Sequence, residues 1–182
     1  MREFFIQTER IGFSMWKEED SELAESLWGD PEVTRYISAD GKFSREQINA
    51  RLQTEISNGE KYHVQYYPIF VPESGELIGC CGLRPYFEDL SECNGGVYEI
   101  GFHLRRKFWG NGYAKEAASA VIDYAFEQIK AEKLFAGHHP ENQASRILLE
   151  KLGFREIGRR YYKPTGLNHP SYELTYEQWC RR

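Results

Sequence analysis

Hydrophobic residues recur along the chain with two periods, and these periods predict its strands and helices. A period of two, typical of a strand, runs through residues 9–17, where Ile11, Phe13 and Met15 lie on one side. A period near 3.6, typical of an amphipathic helix, is clearest between residues 114 and 129. Its hydrophobic positions are Ala114, Ala117, Ala118, Val121, Ile122, Ala125, Phe126 and Ile129.

Local signals complete the order of the elements. Ser44 and Gln47 fit a capping box, in which each side chain satisfies a free amide of the other residue, and they predict a helix over residues 44–57. A turn at residues 72–75 joins two strand-like segments into a hairpin. The remaining predicted elements are helices at 21–27, before Ile37 and at 142–151, strands at 62–71, 77–83, 97–104, 133–136, 154–162 and 171–176, and an irregular acidic loop at 85–96. This order predicts an α/β fold of the mixed α+β kind, with one central sheet and helices on both faces.

The predicted strand at 97–104 has two unlike faces, because alternate side chains of a strand point to opposite sides of the sheet. Its even positions are all hydrophobic: Tyr98, Ile100, Phe102 and Leu104. Its odd positions are Val97, Glu99, Gly101 and His103. We therefore expect the even face to pack in the core. The odd face combines polar residues with a glycine, and core packing does not account for that combination.

Length and composition limit the functional classes. The 182 residues fit one domain, which we expect to span residues 1–182. No hydrophobic run approaches the roughly 20 residues of a membrane span, and the charged N-terminus does not resemble a signal peptide, so we expect a cytoplasmic protein without a membrane partner. A net charge of -5 argues against nucleic acid as a partner. No cluster of ligands supports a metal site at His138 and His139.

The segment RRKFWGNGYAKEA, residues 105–117, places three cations and two glycines before the predicted helix. Helix N-termini favour anions because their first amides are unpaired, and Gly110 and Gly112 let the backbone approach a phosphate closely. The segment is interpreted as a phosphate or diphosphate site, or alternatively as a tight turn with a solvated cationic cap. It is not a dinucleotide fingerprint, since Lys115 replaces the third glycine, and it lacks the GKS or GKT of a P-loop.

Four segments together carry a resemblance to a known family: EIGFHL at 99–104, KFWGNGYA at 107–114, NQAS at 142–145 and EKLGF at 150–154. They resemble the GCN5-related N-acetyltransferase (GNAT) superfamily, specifically its RimJ/RimL-like ribosomal-protein acetyltransferase branch. Lys107 stands where the loop of the family usually has glutamine or arginine. The resemblance covers nearly the whole chain in element order. It implies a mostly antiparallel, twisted sheet of about six or seven strands that splays between its fourth and fifth strands.

The resemblance implies acetyl-coenzyme A as co-substrate, with its pyrophosphate on the amides of residues 110–114 and its pantetheine arm along the strand at 97–104. Residue by residue, it assigns cofactor contacts to His103, Leu104, Lys107, Trp109, Gly110, Asn111, Gly112, Tyr113, Ala114, Asn142, Ser145 and Lys151. Independently of the family, Gly101 within a strand indicates a bulge or the close approach of a ligand. A merely tolerated glycine is the alternative.

Acetyl transfer to an amine requires a neutral nucleophile, stabilisation of an oxyanion and a proton for the leaving thiolate. Glu99 is the candidate catalytic base. An unpaired carboxylate on a central strand is costly to bury, so its presence there indicates a specific role. A buried arginine partner is the alternative reason. The resemblance assigns the oxyanion to a backbone amide near His103 or Leu104. The side chain of His103 is either a titrating group near the site or a hydrogen-bonded structural histidine.

The donor of a proton to the thiolate is less obvious, since Leu149 occupies a position where many family members have tyrosine. The resemblance points instead to Ser145 as the second catalytic residue, with Asn142 at the pantetheine. Asn142 and Ser145 are equally ordinary residues at a helix N-terminus. Arg146 and Lys151 are interpreted either as ligands of the adenosine 3′-phosphate or as part of a solvated face.

The predicted function is therefore transfer of an acetyl group from acetyl-coenzyme A to a primary amine, on a protein N-terminus or a small molecule, directly in a ternary complex. The alternatives are a non-catalytic acyl-coenzyme A-binding module of the same fold and a nucleotide-binding domain of another class. Six aromatic residues of the first half are candidates for an acceptor slot: Trp16, Trp28, Tyr36, Tyr62, Tyr66 and Tyr67. A homodimer through the C-terminal strands is left open.

Overall fold

One eight-stranded sheet forms the centre of the protein, which a computed structural model describes over residues 2–86 and 96–181. The strands are β1 (Ile6–Gln7), β2 (Gly12–Phe13), β3 (Tyr66–Val71), β4 (Glu76–Pro85), β5 (Val97–Leu104), β6 (Lys133–Gly137), β7 (Arg155–Tyr162) and β8 (Leu167–Thr175). They lie in the order β1-β2-β3-β4-β5-β6-β8-β7. All neighbours are antiparallel except β5 and β6, which are parallel.

The described residues also form six α-helices, which cover the sheet. They are α1 (Ser21–Trp28), α2 (Pro31–Thr34), α3 (Arg45–Tyr62), α4 (Tyr113–Tyr124), α5 (Gln143–Lys151) and α6 (Tyr176–Cys180). A 3-10 turn, Arg106–Phe108, precedes α4, and a π-helical turn, Ala125–Ile129, follows it. Over these same ranges, none of the helices combines the length and the hydrophobicity that crossing a membrane requires.

The predicted mixed α/β sheet with helices on its two faces is confirmed, with eight strands instead of six or seven. The strand predicted over residues 9–17 is wrong in extent, since only β2 is formed. Proline has no amide hydrogen to donate, so Pro68 in β3 interrupts the ladder beside Ser14. The amide of Ser14 still donates to the carbonyl of Pro68 at 3.1 Å, but the amide of Trp16 donates to the side chain of Gln65 at 2.8 Å.

The capping box predicted for the long helix is confirmed at the start of α3. The amide of Ser44 donates to the Gln47 side chain at 2.7 Å, and the amide of Gln47 donates to the Ser44 hydroxyl at 3.3 Å. The helix continues past residue 57 to Tyr62 and ends at His63, which adopts a left-handed conformation with φ of 58°. β3 therefore starts later than the pattern predicted. Most of the predicted loop at 85–96 lies outside the described residues.

The hydrophobic face of α4 packs against one face of the sheet. Val121 and Ile122 of α4, and Phe126 of the π-helical turn that follows it, are buried there together with Ile100 and Leu104 of β5. This confirms both the predicted amphipathic helix and the predicted core face of β5.

A second core covers the opposite face of the sheet, under α1 and α3. Trp28, Leu52, Tyr66 and Cys80 are buried in it. The odd face of β5 points into this layer, because the ring of Tyr66 lies directly over Gly101.

β5 and β6 pair over only three residues of each strand, ending at Glu99 of β5. Beyond Glu99, no strand of the described chain pairs with this edge of β5. The carbonyl of His103 points away from it, towards β4, where it would lie 2.1 Å from a Cβ at Gly79. Since backbone groups alternate in direction along a strand, the amides and carbonyls of Phe102 and Leu104 point into the gap. The fourth and fifth predicted strands, at 97–104 and 133–136, correspond to β5 and β6. The predicted splay of the sheet is therefore present between them.

The loop before α4 is fastened to the N-terminal hairpin through Glu116, in the first turn of α4. The Thr8 hydroxyl and the Arg10 amide donate to Glu116 Oε1 at 2.6 and 3.0 Å, and Arg10 Nε donates to Oε2 at 2.7 Å. Arg10 also donates to the carbonyl of Asn111 at 3.0 Å and lies over the ring of Tyr113. Burial by itself would raise the pKa of Glu116, but the hydrogen bonds and charge of these partners outweigh it and lower that pKa.

Replacing Glu116 with glutamine should lower the free energy of unfolding by about 1 to 2 kcal/mol at pH 7, because hydrogen bonds to a charged acceptor are lost. The folded pKa lies below the unfolded value of about 4.3, so this stabilisation is complete at neutral pH and is lost as the pH falls through the folded pKa. Urea unfolding of both proteins between pH 7 and pH 3 measures the effect. A difference that does not shrink on acidification would contradict this role of Glu116.

Candidate active site

A cleft of about 960 Å³ opens where β5 and β6 diverge. Its walls are β5, β6, the loop before α4, the start of α5, and residues of α2, α3 and the β7–β8 hairpin. Among the residues predicted from the sequence, those lining it are Glu99, His103, Leu104, Trp109, Gly110, Gly112, Tyr113, Ala114, Asn142, Ser145 and Lys151. Lys107 and Asn111 do not line it.

The loop at residues 109–113, here called the glycine loop, closes one end of the cleft. Gly110 and Gly112 have φ of 74° and 83°, a region that favours glycine. A Cβ at Gly110 would meet nothing within 4 Å, so the backbone there is open to the cleft. The indole of Trp109 donates to the carbonyl of Leu104 at 2.7 Å and so ties the loop to the free edge of β5. With the helix start that follows, this end of the cleft favours an anion.

The predicted role of Lys107 as the cation of this site is not supported by its position. Its ammonium forms an ion pair with Glu76 on β4, and Arg105 lies 3.5 Å from the same carboxylate. Arg106 pairs with Glu32. Each of these three cations therefore has a carboxylate partner, although Arg105 and Lys107 share that of Glu76.

Lys115 is the lysine of α4 that lines the cleft. In the sequence analysis Lys115 was used only to exclude a dinucleotide fingerprint. It was not predicted as a cleft residue, because none of the motifs considered assigns a role to its position. The side chain of Asn111 donates to the carbonyl of Trp109 at 3.0 Å and thus shapes the loop.

The start of α5 forms the opposite wall of the cleft. Asn142 caps the helix, since its side-chain oxygen accepts from the amide of Ser145 at 3.1 Å. The structural role considered for Asn142 is thereby observed. Both residues line the cleft, so capping and ligand contact are compatible.

Glu99 lies at the point where β5 and β6 part, and its partner is a tyrosine. The hydroxyl of Tyr66 donates to Glu99 Oε1 at 2.7 Å. The arginine considered as the alternative partner is present as Arg84, directly across the β4–β5 ladder, but its ion pair is with the fully buried Glu55. Burial and the negative charge of Glu99 raise the pKa of Tyr66 well above its usual value, although the charge of Arg84 opposes them. Tyr66 therefore remains protonated and donates to the carboxylate.

For Gly101 the sequence predicted a bulge or the close approach of a ligand. No bulge is found in the pairing of β5 with β4, which continues through Gly101 without a register shift, but Gly101 does line the cleft. The glycine is required for a different reason. A Cβ at this position would lie 2.3 Å from the Tyr66 ring, so Gly101 makes room for the side chain that holds Glu99.

The structure supports the structural interpretation of the His103 side chain. The indole of Trp28 donates to His103 Nδ1 at 3.3 Å, and the thiol of Cys80 lies 3.6 Å from the same atom. Burial, with a smaller contribution from the positive charges of Arg51 and Arg84, lowers the pKa of His103 well below its usual value. His103 is thus neutral at pH 7. Its backbone faces β4, so it is Leu104, not His103, that offers an amide to the cleft.

The part of the cleft on the odd face of β5 is here called the inner chamber. It is lined by Arg51, Tyr66, Arg84, Glu99 and Tyr162. Of the six aromatic residues proposed for an acceptor slot, Tyr36 and Tyr66 line the cleft, whereas the lining does not include Trp16, Trp28, Tyr62 or Tyr67. Sequence reasoning missed Arg51, Arg84 and Tyr162, since they come from three separate elements and no spacing links them.

Comparison with known proteins agrees with this geometry. The family described as acetyltransferase (GNAT) domain matches residues 10–155. The uncharacterized N-acetyltransferase p20 of Bacillus licheniformis is 33% identical over 163 residues, which cover 88% of this chain and 89% of that protein. The ribosomal protein uS5-alanine N-acetyltransferase of Escherichia coli is 26% identical over 110 residues, 58% of this chain and 55% of that protein. A crystal structure of a GNAT-family acetyltransferase from Bacillus anthracis has a TM-score of 0.79 and 26% identity, with 96% of this chain and 99% of that chain covered.

Because the family match spans most of the chain and a relative aligns along nearly its whole length, this protein belongs to the GNAT family and is an acetyltransferase, with RimJ-like ribosomal-protein acetyltransferases among its relatives.

Proposed function

We propose that this chain transfers an acetyl group from acetyl-coenzyme A to a primary amine, directly within a complex of both substrates, and that residues 1–182 form one catalytic domain. GNAT acetyltransferases generally use acetyl-coenzyme A. One observation carries the proposal: the carboxylate of Glu99, held by Tyr66, lines the same cleft as a glycine loop at a helix start. A proton acceptor and an anion site thus occupy one cavity.

The glycine loop is the proposed site of the donor diphosphate. The amides of residues 110–114 lie at the N-terminal end of α4, where unpaired amides and the helix dipole attract negative charge. Lys115 adds a mobile positive charge at the same end of the cleft. Lys107 is left out of this site because its charge is used by Glu76.

The free edge of β5 is the proposed site of the pantetheine arm. Phe102 directs its backbone amide and carbonyl into the gap, and Leu104 directs its amide there, while the Leu104 carbonyl already accepts from the Trp109 indole. Amide groups of the arm can pair with the open groups as a neighbouring strand would. On the opposite wall, we assign Asn142, Ser145 and Lys151 to the donor as well. Acetyl-coenzyme A supplies an activated thioester to this position.

Glu99 is the proposed proton acceptor. An amine must lose a proton to become nucleophilic, and a carboxylate at the divergence point can take that proton directly or through one water. The Tyr66 hydroxyl occupies Oε1 at 2.7 Å, which orients the carboxylate and leaves Oε2 for the amine.

The chain also offers groups for the charges that develop during transfer. We assign the stabilisation of the acetyl oxygen to a β5 backbone amide, Leu104 or its neighbour Phe102, because a fixed amide dipole in a cleft needs no reorganisation. Ser145 is assigned a hydrogen bond to the departing thiolate.

Replacing Glu99 with glutamine should lower kcat about 100-fold or more, because the base is lost while the shape of the side chain is kept. The Kd for coenzyme A should change little, since Glu99 lies away from the glycine loop. Steady-state thiol release and calorimetry measure the two quantities.

Tyr66→Phe should lower kcat less than Glu99→Gln does, because it removes only the hydrogen bond that orients the base. Glu177→Gln, on the exposed side of α6, is the matched control and should leave both quantities unchanged. Full turnover by the Glu99 variant would remove Glu99 from the mechanism. Binding of coenzyme A without thiol release for a broad range of amines would indicate a non-catalytic binding module.

Lys115 and Lys107 provide a matched pair for testing the donor site. Lys115→Ala should weaken the binding of coenzyme A about tenfold, equivalent to about 1.4 kcal/mol, because it removes the cation that lines the cleft. Lys107→Ala should leave the Kd nearly unchanged, since that ammonium pairs with Glu76 outside the cleft. Titration calorimetry with coenzyme A compares the two variants, and a larger loss for Lys107→Ala would refute the assignment.

A further inference from the structure

The inner chamber contains one acidic and two basic side chains, and the proposed chemistry gives a role only to the acidic one. Glu99 has an assigned role, whereas the cationic groups beside it have none. Arg51 lies on α3 and Arg84 on β4, and both line the chamber. Their own partners decide what each can still bind.

The charge of Arg84 is already balanced inside the protein. Its guanidinium forms an ion pair with Glu55, whose side chain is completely buried, and stacks on the Tyr66 ring at 4.1 Å. Glu55 also accepts from the amide of Tyr66 at 2.9 Å. Arg84 and Glu55 therefore act as a neutral pair that supports Tyr66.

Arg51 lies one helical turn before Glu55 but does not share that carboxylate. Its guanidinium lies between two aromatic rings, 5.2 Å from the centre of Trp28 and 5.6 Å from that of Phe43. Its Nε is buried with no hydrogen-bond acceptor in the described parts of the chain, as is that of Arg84, but Arg51, unlike Arg84, also has no carboxylate there within ion-pair distance. Aromatic faces stabilise a cation only partly, and a half-buried charge without an anion is unfavourable. Arg51 is thus positioned to bind an anion that enters the cleft.

Arg51 and Glu99 face the same space. The hydroxyl of Tyr162 responds to both of them: burial raises its pKa, the charge of Arg51 opposes this rise, and the charge of Glu99 adds to it. All three side chains also line the one cleft. The chamber accordingly has a negative group where β5 and β6 part and an unbalanced positive group beneath α1 and α3.

We propose that the acceptor is a primary amine that also carries an anionic group, most simply a carboxylate. Its ammonium group lies at Glu99 and its carboxylate at Arg51, whose planar fork can donate two parallel hydrogen bonds to a carboxylate. This inference rests on the proposed function, which it deepens by naming the class of acceptor. Arg51 determines specificity and takes no part in proton transfer.

The test compares matched amine acceptors with and without a carboxylate. Alanine and 4-aminobutyrate carry a carboxylate, while alaninamide and butylamine are their neutral counterparts, and a peptide with aspartate or asparagine at its second position tests whether the anion is supplied by a protein N-terminus. With acetyl-coenzyme A as donor, at least one carboxylated member should have a kcat/KM about tenfold or more above that of its neutral counterpart.

Variants of Arg51 show whether this residue causes the preference. Arg51→Gln should raise KM for the carboxylated acceptor about tenfold or more and leave kcat and the neutral acceptors nearly unchanged, and Arg51→Lys should restore part of the loss. Arg45→Gln is the control, because Arg45 lies on the same helix, is exposed and pairs with Glu25 outside the cleft. A preference for neutral amines, or an equal loss for both classes in Arg51→Gln, would overturn the proposal.

Calorimetric titration of the same amines into the complex of the protein with coenzyme A measures their Kd in the absence of turnover. Carboxylated amines that bind through Arg51 but are never acetylated would refute the proposed function and keep this inference. Binding that is the same for charged and neutral amines would refute the inference, whatever the turnover.

Discussion

The divergence of β5 from β6 is the constraint on which the rest of the structure depends. A strand inside a sheet normally uses both of its edges, and a buried backbone group without a partner costs about as much as a lost hydrogen bond. Here the pairing stops at Glu99, so that the amide and carbonyl of Phe102 and the amide of Leu104 point into a cleft instead of onto a neighbouring strand. A donor with amide groups of its own can complete this edge. The same divergence leaves the carboxylate of Glu99 at the end of that edge, where the acyl group would lie.

A network of buried polar groups fixes the chemistry at this point. Glu55 on α3 accepts from Arg84 and from the amide of Tyr66. The hydroxyl of Tyr66 in turn donates to Glu99 and orients its carboxylate. Each of these side chains has at least one hydrogen-bond or ion-pair partner, although the Nε of Arg84 itself has none, and the low-dielectric surroundings strengthen each bond. Arg51, beside this network, has no ion-pair partner among the described residues. We propose that its charge selects the acceptor.

The elements that could be predicted from the sequence are those in which one buried face produces a regular spacing of hydrophobic residues. The amphipathic pattern of α4 and the two faces of β5 follow from packing on the sheet, and the glycines and the helix cap of the cleft are local motifs. The end of β2 could not be predicted in this way, because it depends on Pro68 of a strand that is distant in sequence. Likewise, Tyr66 binds Glu99 across 33 positions of the chain.

The same limit applies to the ion pair of Lys107. Both Lys107 and Lys115 lie near the glycine loop in sequence, and only the fold decides which of them pairs with a carboxylate of β4. A motif specifies which residue types are present, but it does not specify their ion-pair partners. For that reason, the glycine loop could be predicted from the sequence, whereas the pairing of Lys107 with Glu76 could not.

The most direct test of this account is to locate the bound donor by the backbone amides it perturbs. In a titration of the ¹⁵N-labelled protein with coenzyme A, the largest amide shifts are expected at Phe102 and Leu104 on the free edge of β5 and at residues 110–114, in the glycine loop and the start of α4, with small shifts at the Lys107 ion pair. Shifts concentrated elsewhere, for example in the separate pocket formed by Arg2, Asp20 and Phe70, would contradict the claim that the gap between β5 and β6 holds the donor.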